Sequence, residues 1–114
     1  MDKIVYAFKA LADSNRIRIL KMLEIRPLCV CEITEILNLA TSTVSKHLSI
    51  LRNAEFITDE KDGKWVNYYL NTDQTNPYMR HLLPLIRTWL TADERVLNDQ
   101  KKVTTVDRNT LCGI

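Results

Sequence analysis

Apolar residues recur at helical spacing through the first fifty positions, give way to a two-residue alternation between 56 and 70, and then return to helical spacing. Ile4, Val5, Phe8 and Leu11 predict a helix over residues 3–12. Asp13-Ser14 then reads as a break and cap before a second helix carrying Ile17, Ile19, Leu20 and Leu23. Pro27 is expected to start a third helix, with Val30, Ile33, Ile36 and Leu37 as its inward stripe. Asn38-Leu39-Ala40 is the turn before a fourth, capped by Thr41 or Ser42 and burying Val44, Leu48 and Leu51. Residues 33–54 therefore read as a helix-turn-helix.

The alternating stretch Phe56 to Leu70 predicts a hairpin about a two-residue Asp62-Gly63 turn of type I′, with Lys61 and Lys64 projecting from its tip. A hairpin directly after a helix-turn-helix is a wing. Asn76-Pro77 opens a long helical segment with Tyr78, Leu82, Leu85, Ile86, Trp89 and Leu90 on one side, and Pro84 either kinks it or marks its true beginning. The stretch from Asn98 to Ile114 alternates charges without a strong period and is expected to be mobile except near Cys112. The expected fold is mainly α with a β-hairpin wing: a winged helix-turn-helix domain over residues 1–97, followed by a C-terminal tail over 98–114. Its apolar stripes exceed what one small core needs, so helix one and the last helix are expected to pair in a homodimer.

With 114 residues, 46% of them hydrophobic, the chain has the size of one domain. The formal charge of +2 is a weak argument for nucleic acid, because the four Lys and Arg within residues 41–70 are balanced by four acids. The fourth helix is more informative. Its outer face is Ser42, Ser45, Lys46, Ser49 and Arg52, mostly small hydroxyls that let a helix lie deep in a major groove and bond to phosphates and base edges. No apolar run approaches the ~20 residues of a membrane span, so the cytoplasm is the expected compartment.

The chemistry lies in Leu28-Cys29-Val30-Cys31-Glu32-Ile33. Thiolates are soft ligands, and a helix start lowers a thiol's pKa. Successive helical residues are rotated by roughly 100°, so Cys29 and Cys31 would point about 200° apart on an intact helix, and chelation by both would have to unwind that turn. Cys112 is the remaining cysteine, and three thiols of this spacing make a poor disulfide framework. There is no Cys-x-x-Cys, no glycine-rich phosphate loop among only two glycines, and no general base beside the thiols, which argues against an enzyme.

With Leu28-Cys29-Val30-Cys31, Thr41-Ser42-Thr43-Val44-Ser45-Lys46-His47-Leu48 and Asp62-Gly63-Lys64-Trp65-Val66-Asn67-Tyr68-Tyr69 in this order, the chain resembles the ArsR/SmtB family of metal-sensing repressors, most of all its arsenic-responsive branch. That resemblance implies a dimer that binds double-stranded operator DNA and leaves it when As(III) or Sb(III) binds at the Cys-Val-Cys. It implies DNA contacts from Thr41, Ser42, Thr43, Ser45, Lys46 and His47, with Lys61 and Lys64 on the wing. One departure stands out: well-known arsenical repressors have a third cysteine where this chain has Thr34. Cys112 is therefore the expected third ligand, joining Cys29 and Cys31 within a subunit or across the dimer. The last long helix has His81, Asp93 and Glu94 without a second histidine, and no zinc site is expected there. The alternatives are a cadmium or lead sensor of the same family, and a redox or reactive-sulfur sensor in which Cys29 or Cys31 joins Cys112 through sulfur.

Overall fold

The computed structural model describes residues 1–73 and 75–111. Helices α1 (Asp2–Leu11) and α2 (Ser14–Leu23) lead to a two-residue strand, β1 (Leu28–Cys29), then α3 (Val30–Leu37) and α4 (Thr41–Asn53). The hairpin β2 (Ile57–Asp62) and β3 (Trp65–Leu70) follows, and α5 (Pro77–Thr88), α6 (Glu94–Val103) and α7 (Arg108–Leu111) close the chain. The sheet is antiparallel in the order β1-β3-β2. The fold is mainly α with a β-hairpin wing, as the patterning predicts.

Local chemistry accounts for most boundaries. Asp13 caps α2, its carboxylate accepting the backbone N–H of Asn15 at 2.8 Å and of Arg16 at 3.2 Å. Asn38 ends α3 in the left-handed region at φ 55°, which a short amide side chain tolerates, and so turns the chain toward α4. Val44, Leu48 and Leu51 of α4 are buried with Ile33, Ile36 and Leu37 of α3 and with Ile19, Leu20 and Met22 of α2. That shared core fixes α4 against its two predecessors. Lys21 is only 1% exposed, and its ammonium donates to the Ile86 carbonyl at 2.9 Å while pairing with Glu24 at 3.0 Å. A buried cation is thus placed where the end of α5 offers carbonyls without helical partners.

Several expectations are corrected. Pro27 does not start α3; the chain stays extended through Cys29 because Leu28 pairs with Tyr68 and Cys29 with Asn67 of β3. Ala40 occupies the cap position of α4 and gives it no side-chain bond, so Thr41 and Ser42 are its first helical residues rather than its cap. Asp62 pairs with Trp65, which moves the hairpin loop one residue on, to Gly63-Lys64. Gly63 has φ +60° and Lys64 is not among the positive-φ residues, so the turn follows type II′ rather than I′. Helix α5 does open at Asn76-Pro77 as expected, with Pro84 inside it, but it ends at Thr88, so Trp89 and Leu90 of the expected stripe lie beyond it.

The largest correction concerns the tail. Residues 98–103 continue α6, whose Val103 is fully buried and whose Asp99 takes a two-pronged bond from Arg18 at 2.7 and 2.9 Å. The expected boundary after residue 97 falls inside this helix. Residues 106–111 then run back over α3 and the wing, while Cys112 lies outside the described residues.

The Asp13 cap generates a pH-dependent prediction. Burial alone would raise its pKa, but the N–H donors of Arg16 and Asn15 and the charges of Arg16 and His47 together hold it below the ordinary aspartate range. A depressed folded pKa means that the stabilisation is present above the unfolded value, near pH 4, and is lost as the pH falls through the folded one. Asp13→Ala should therefore cost about 1 kcal/mol in urea unfolding at pH 7. The gap from wild type should narrow steadily below about pH 4; a gap that stays constant to pH 2.5 would contradict the assignment.

Candidate thiol site and nucleic-acid interface

Cys29 sits one step outside α3, in extended backbone at φ −92° and ψ 170°, and is 2% exposed. It occupies the cap position of a reciprocal box: its N–H donates to Glu32 Oε1 at 3.0 Å, and its sulfur faces the Glu32 N–H in return. Because Cys29 is not helical, the opposed 200° arrangement expected for the two cysteines does not hold. Cys31 lies within the first turn of α3, half-buried, and its carbonyl accepts the Thr34 hydroxyl at 2.7 Å. Among the described residues no three His, Cys, Asp or Glu side chains converge on a common point.

Electrostatics at Cys29 run against the expected lowering of its pKa. Burial pushes the thiol up, and the Glu32 carboxylate adds to this, outweighing the backbone N–H groups of Glu32 and Cys31 that would stabilise a thiolate. The resting Cys29 is a neutral thiol. Glu32 is itself buried, and its second oxygen accepts Arg26 Nη2 at 3.0 Å. The same guanidinium donates to the Val103 and Val106 carbonyls at 3.0 and 3.1 Å, tying the start of α3 to the end of α6 and the segment beyond.

On the other side of the helix-turn-helix, Thr41, Ser42, Thr43, Ser45 and Lys46 are exposed along the first turns of α4. His47 is half-buried beside them, its Nδ1 3.1 Å from Arg16 Nη1. A guanidinium only donates, so Nδ1 is the acceptor and the proton of a neutral His47 lies on Nε2. Arg16 also donates to the Ala10 carbonyl at 2.7 Å, linking the end of α1 to the outer face of α4. Arg52, farther along, is engaged with Asp59 of β2 at 2.9 Å. Lys61 and Lys64 are exposed on the wing, Lys61 within β2 and Lys64 in the turn with its ammonium 4.8 Å from the Trp65 ring centre.

Four side chains that position these groups escaped the sequence reading. Glu32 carried a usable signal, since an acid three residues after a cap position is the mark of a capping box even when cysteine replaces serine. Arg16, Arg26 and Arg108 carried none, because their partners lie up to 80 residues away in the chain.

Residues 13–59 match the family described as bacterial regulatory protein, arsR family. The arsenical resistance operon repressor of Escherichia coli K12 is 34% identical over 108 residues, which span 92% of this chain and 82% of that protein. The chain belongs to the arsR family. The Bacillus subtilis 168 arsenical resistance operon repressor is 43% identical over 77 residues, covering 67% of this chain and 73% of its own. Among solved structures, reduced HlyU from Vibrio cholerae superposes with a TM-score of 0.59 at 32% identity, covering 74% of this chain and 88% of that one.

Membership of the arsR family makes this winged helix-turn-helix a DNA-binding transcriptional repressor and not an enzyme. Helix α4 is braced by Arg16 through His47 at its middle and by the Arg52–Asp59 pair near its C-terminal end. No helix among the described residues is long and apolar enough to cross a membrane.

Burial of Cys29 beside Glu32 has a measurable consequence. In the reduced protein, alkylation of Cys29 followed by peptide mapping should reach half its maximal rate at a pH above the ordinary thiol value of about 8.5. Glu32→Gln, which removes the neighbouring charge, should move that midpoint down. A wild-type midpoint at or below 8 would refute the neutral-thiol assignment.

Proposed function

We propose that this arsR-family repressor binds operator DNA as a homodimer in its metalloid-free form and is released by trivalent arsenic or antimony captured at Cys29 and Cys31. One observation carries this reading: Cys29 is at once the cap of α3 and the backbone partner of Asn67 in the wing strand β3. An atom that draws the two sulfurs together must pull Cys29 out of its reciprocal cap, and thereby disturbs both the helix that supports α4 and the strand that carries the wing.

The exchange chemistry suits a neutral thiol. Arsenite at neutral pH is As(OH)3; each As–S bond forms as an As–O bond breaks, and the departing hydroxide takes the thiol proton to leave as water. In the reduced protein, where Cys31 is a thiol, capture by the two cysteines releases two waters and changes no oxidation state. The third coordination position of arsenic would go to Cys112, the sequence-based expectation for the tail. A hundredfold loss of DNA affinity requires only about 2.7 kcal/mol of coupling, which is within reach of a few metal–thiolate bonds.

For DNA, Thr41, Ser42, Thr43, Ser45, Lys46 and His47 form the groove face, and Lys61 and Lys64 the wing contacts to phosphate or minor groove. The dimer surface is the exposed apolar residues of α1, Val5, Tyr6 and Phe8, together with Leu85 of α5 and Trp89 and Leu90 just beyond it. Two-fold pairing would present two copies of α4 to a palindromic site, in the cytoplasm where that DNA lies.

The test is a gel shift on a duplex selected by the reduced wild-type protein from a random-sequence pool, titrated with arsenite. Wild type should leave the DNA, while Cys29→Ser should bind it with similar affinity and stay bound at arsenite concentrations at least tenfold higher. Equal release of both proteins would remove the thiol trigger. Release by cadmium or lead but not arsenite would reassign the inducer, and release on mild oxidation with a peptide linked to Cys112 would favour the redox alternative.

A further inference from the structure

The segment after α6 crosses the molecule from the thiol site to the tip of the wing, where Arg108 fastens it. Arg108 donates to Asn67 Oδ1 at 3.0 Å and to Asp62 Oδ2 at 2.9 Å, and its guanidinium stacks over the Trp65 ring with its carbon 4.1 Å from the ring centre. Asp107 sets this up by accepting the Asn109 N–H at 2.9 Å, which opens the short turn of α7. At its other end the segment is held by Arg26, through the Val103 and Val106 carbonyls, and Arg26 is in turn held by Glu32, the partner of Cys29. Cys29 and the wing tip are thus joined by a side-chain route through Glu32, Arg26, residues 103–108 and Arg108. This runs beside the direct backbone pairing of Cys29 with Asn67.

Two features mark the strapped wing as one of two states. The indole N–H of Trp65 is buried without a hydrogen-bond partner, a cost that exposure to water would relieve. Asp62 places a carboxylate at the end of β2, in the hairpin that also carries Lys61 and Lys64, and Arg108 is the cation paired with it. Freed of Arg108, that carboxylate would face approaching phosphates uncompensated.

We propose that Arg108 is a positioning residue for DNA binding: it straps the C-terminal segment to the wing, neutralises Asp62 and holds the wing in its DNA-competent arrangement. Disturbance of the Cys29–Glu32 cap slackens this strap through Arg26. The second half of this inference rests on the metalloid reading; the first does not. Arg108 acts through Asp62 and Trp65 rather than by touching DNA.

Four full-length reduced proteins test it on the selected duplex: wild type, Arg108→Ala, Asp62→Asn and Arg108→Ala/Asp62→Asn. Without arsenite, Arg108→Ala should bind about tenfold more weakly, and the added Asp62→Asn should restore most of that loss. Loss of a simple scaffold would not be rescued by removing a second side chain. The Trp65 indole N–H, followed by NMR, should exchange slowly with water in wild type and quickly in Arg108→Ala. With arsenite, the fold-release of Arg108→Ala should shrink at least fivefold relative to wild type. Wild-type DNA affinity in Arg108→Ala, or a loss that Asp62→Asn leaves unrepaired, overturns the strap. If arsenite fails to release wild type, the metalloid reading falls while the arsenite-free comparison still judges Arg108. If arsenite releases wild type and Arg108→Ala to the same extent, the strap takes no part in the response.

Discussion

Glu32, itself buried, accepts the Cys29 N–H with one carboxylate oxygen and the part-exposed Arg26 with the other. Burying a carboxylate is expensive unless every lone pair of consequence finds a donor, so this geometry holds the local backbone to one arrangement. It fixes where α3 begins, keeps Cys29 extended and able to pair with β3, and anchors the segment that follows α6. The Cys29 thiol, the ligand in the proposed function, is therefore also part of the cap that keeps the helix start in order. Under that proposal, ligand capture and an intact cap compete for the same residue.

Around that junction, charged side chains serve as braces between elements distant in sequence. Arg16 spans from the end of α1 to His47 on α4; Arg18 fixes α6 through Asp99; Lys21 closes α5 from inside the core. Each of these cations comes from α2, which makes that helix the hub against which the reading helix and the C-terminal helices are oriented. Of the six cations in residues 1–26, Arg16, Arg18, Lys21 and Arg26 are spent on such internal work. The exposed face of α4 is instead dominated by small hydroxyls, and apolar residues on α1, on α5 and just beyond it remain uncovered within a single chain.

Much of this fold was legible in the order of residues because its signals are local. The stripe Val44, Leu48 and Leu51 identifies the buried side of α4 whatever surrounds it, Asp13 caps the next helix with its own side chain, and alternating apolar residues mark the hairpin. The failures share a cause as well. Strand β1 is two residues long and exists only because β3, almost forty residues later, offers it an edge, so Pro27 looked like a helix start. The Gly63-Lys64 loop differs from the expected one by a single residue, a shift set by strand register rather than by turn preference. Asp99 and Arg108, read as alternating charges of a loose tail, are ordered by partners that no window of sequence contains.

Residue order alone determined the helix-turn-helix, the wing, the pair of cysteines at the entrance to α3 and the membership of a repressor family, since periodicity, caps and motif spacing act over a few residues. Tertiary structure decided that Cys29 is buried and extended, that its thiol pKa is raised rather than lowered, and that the C-terminal segment is laid across the wing. Those outcomes depend on desolvation and on hydrogen bonds closed between groups far apart in the chain, and such terms come into being only when the chain is folded.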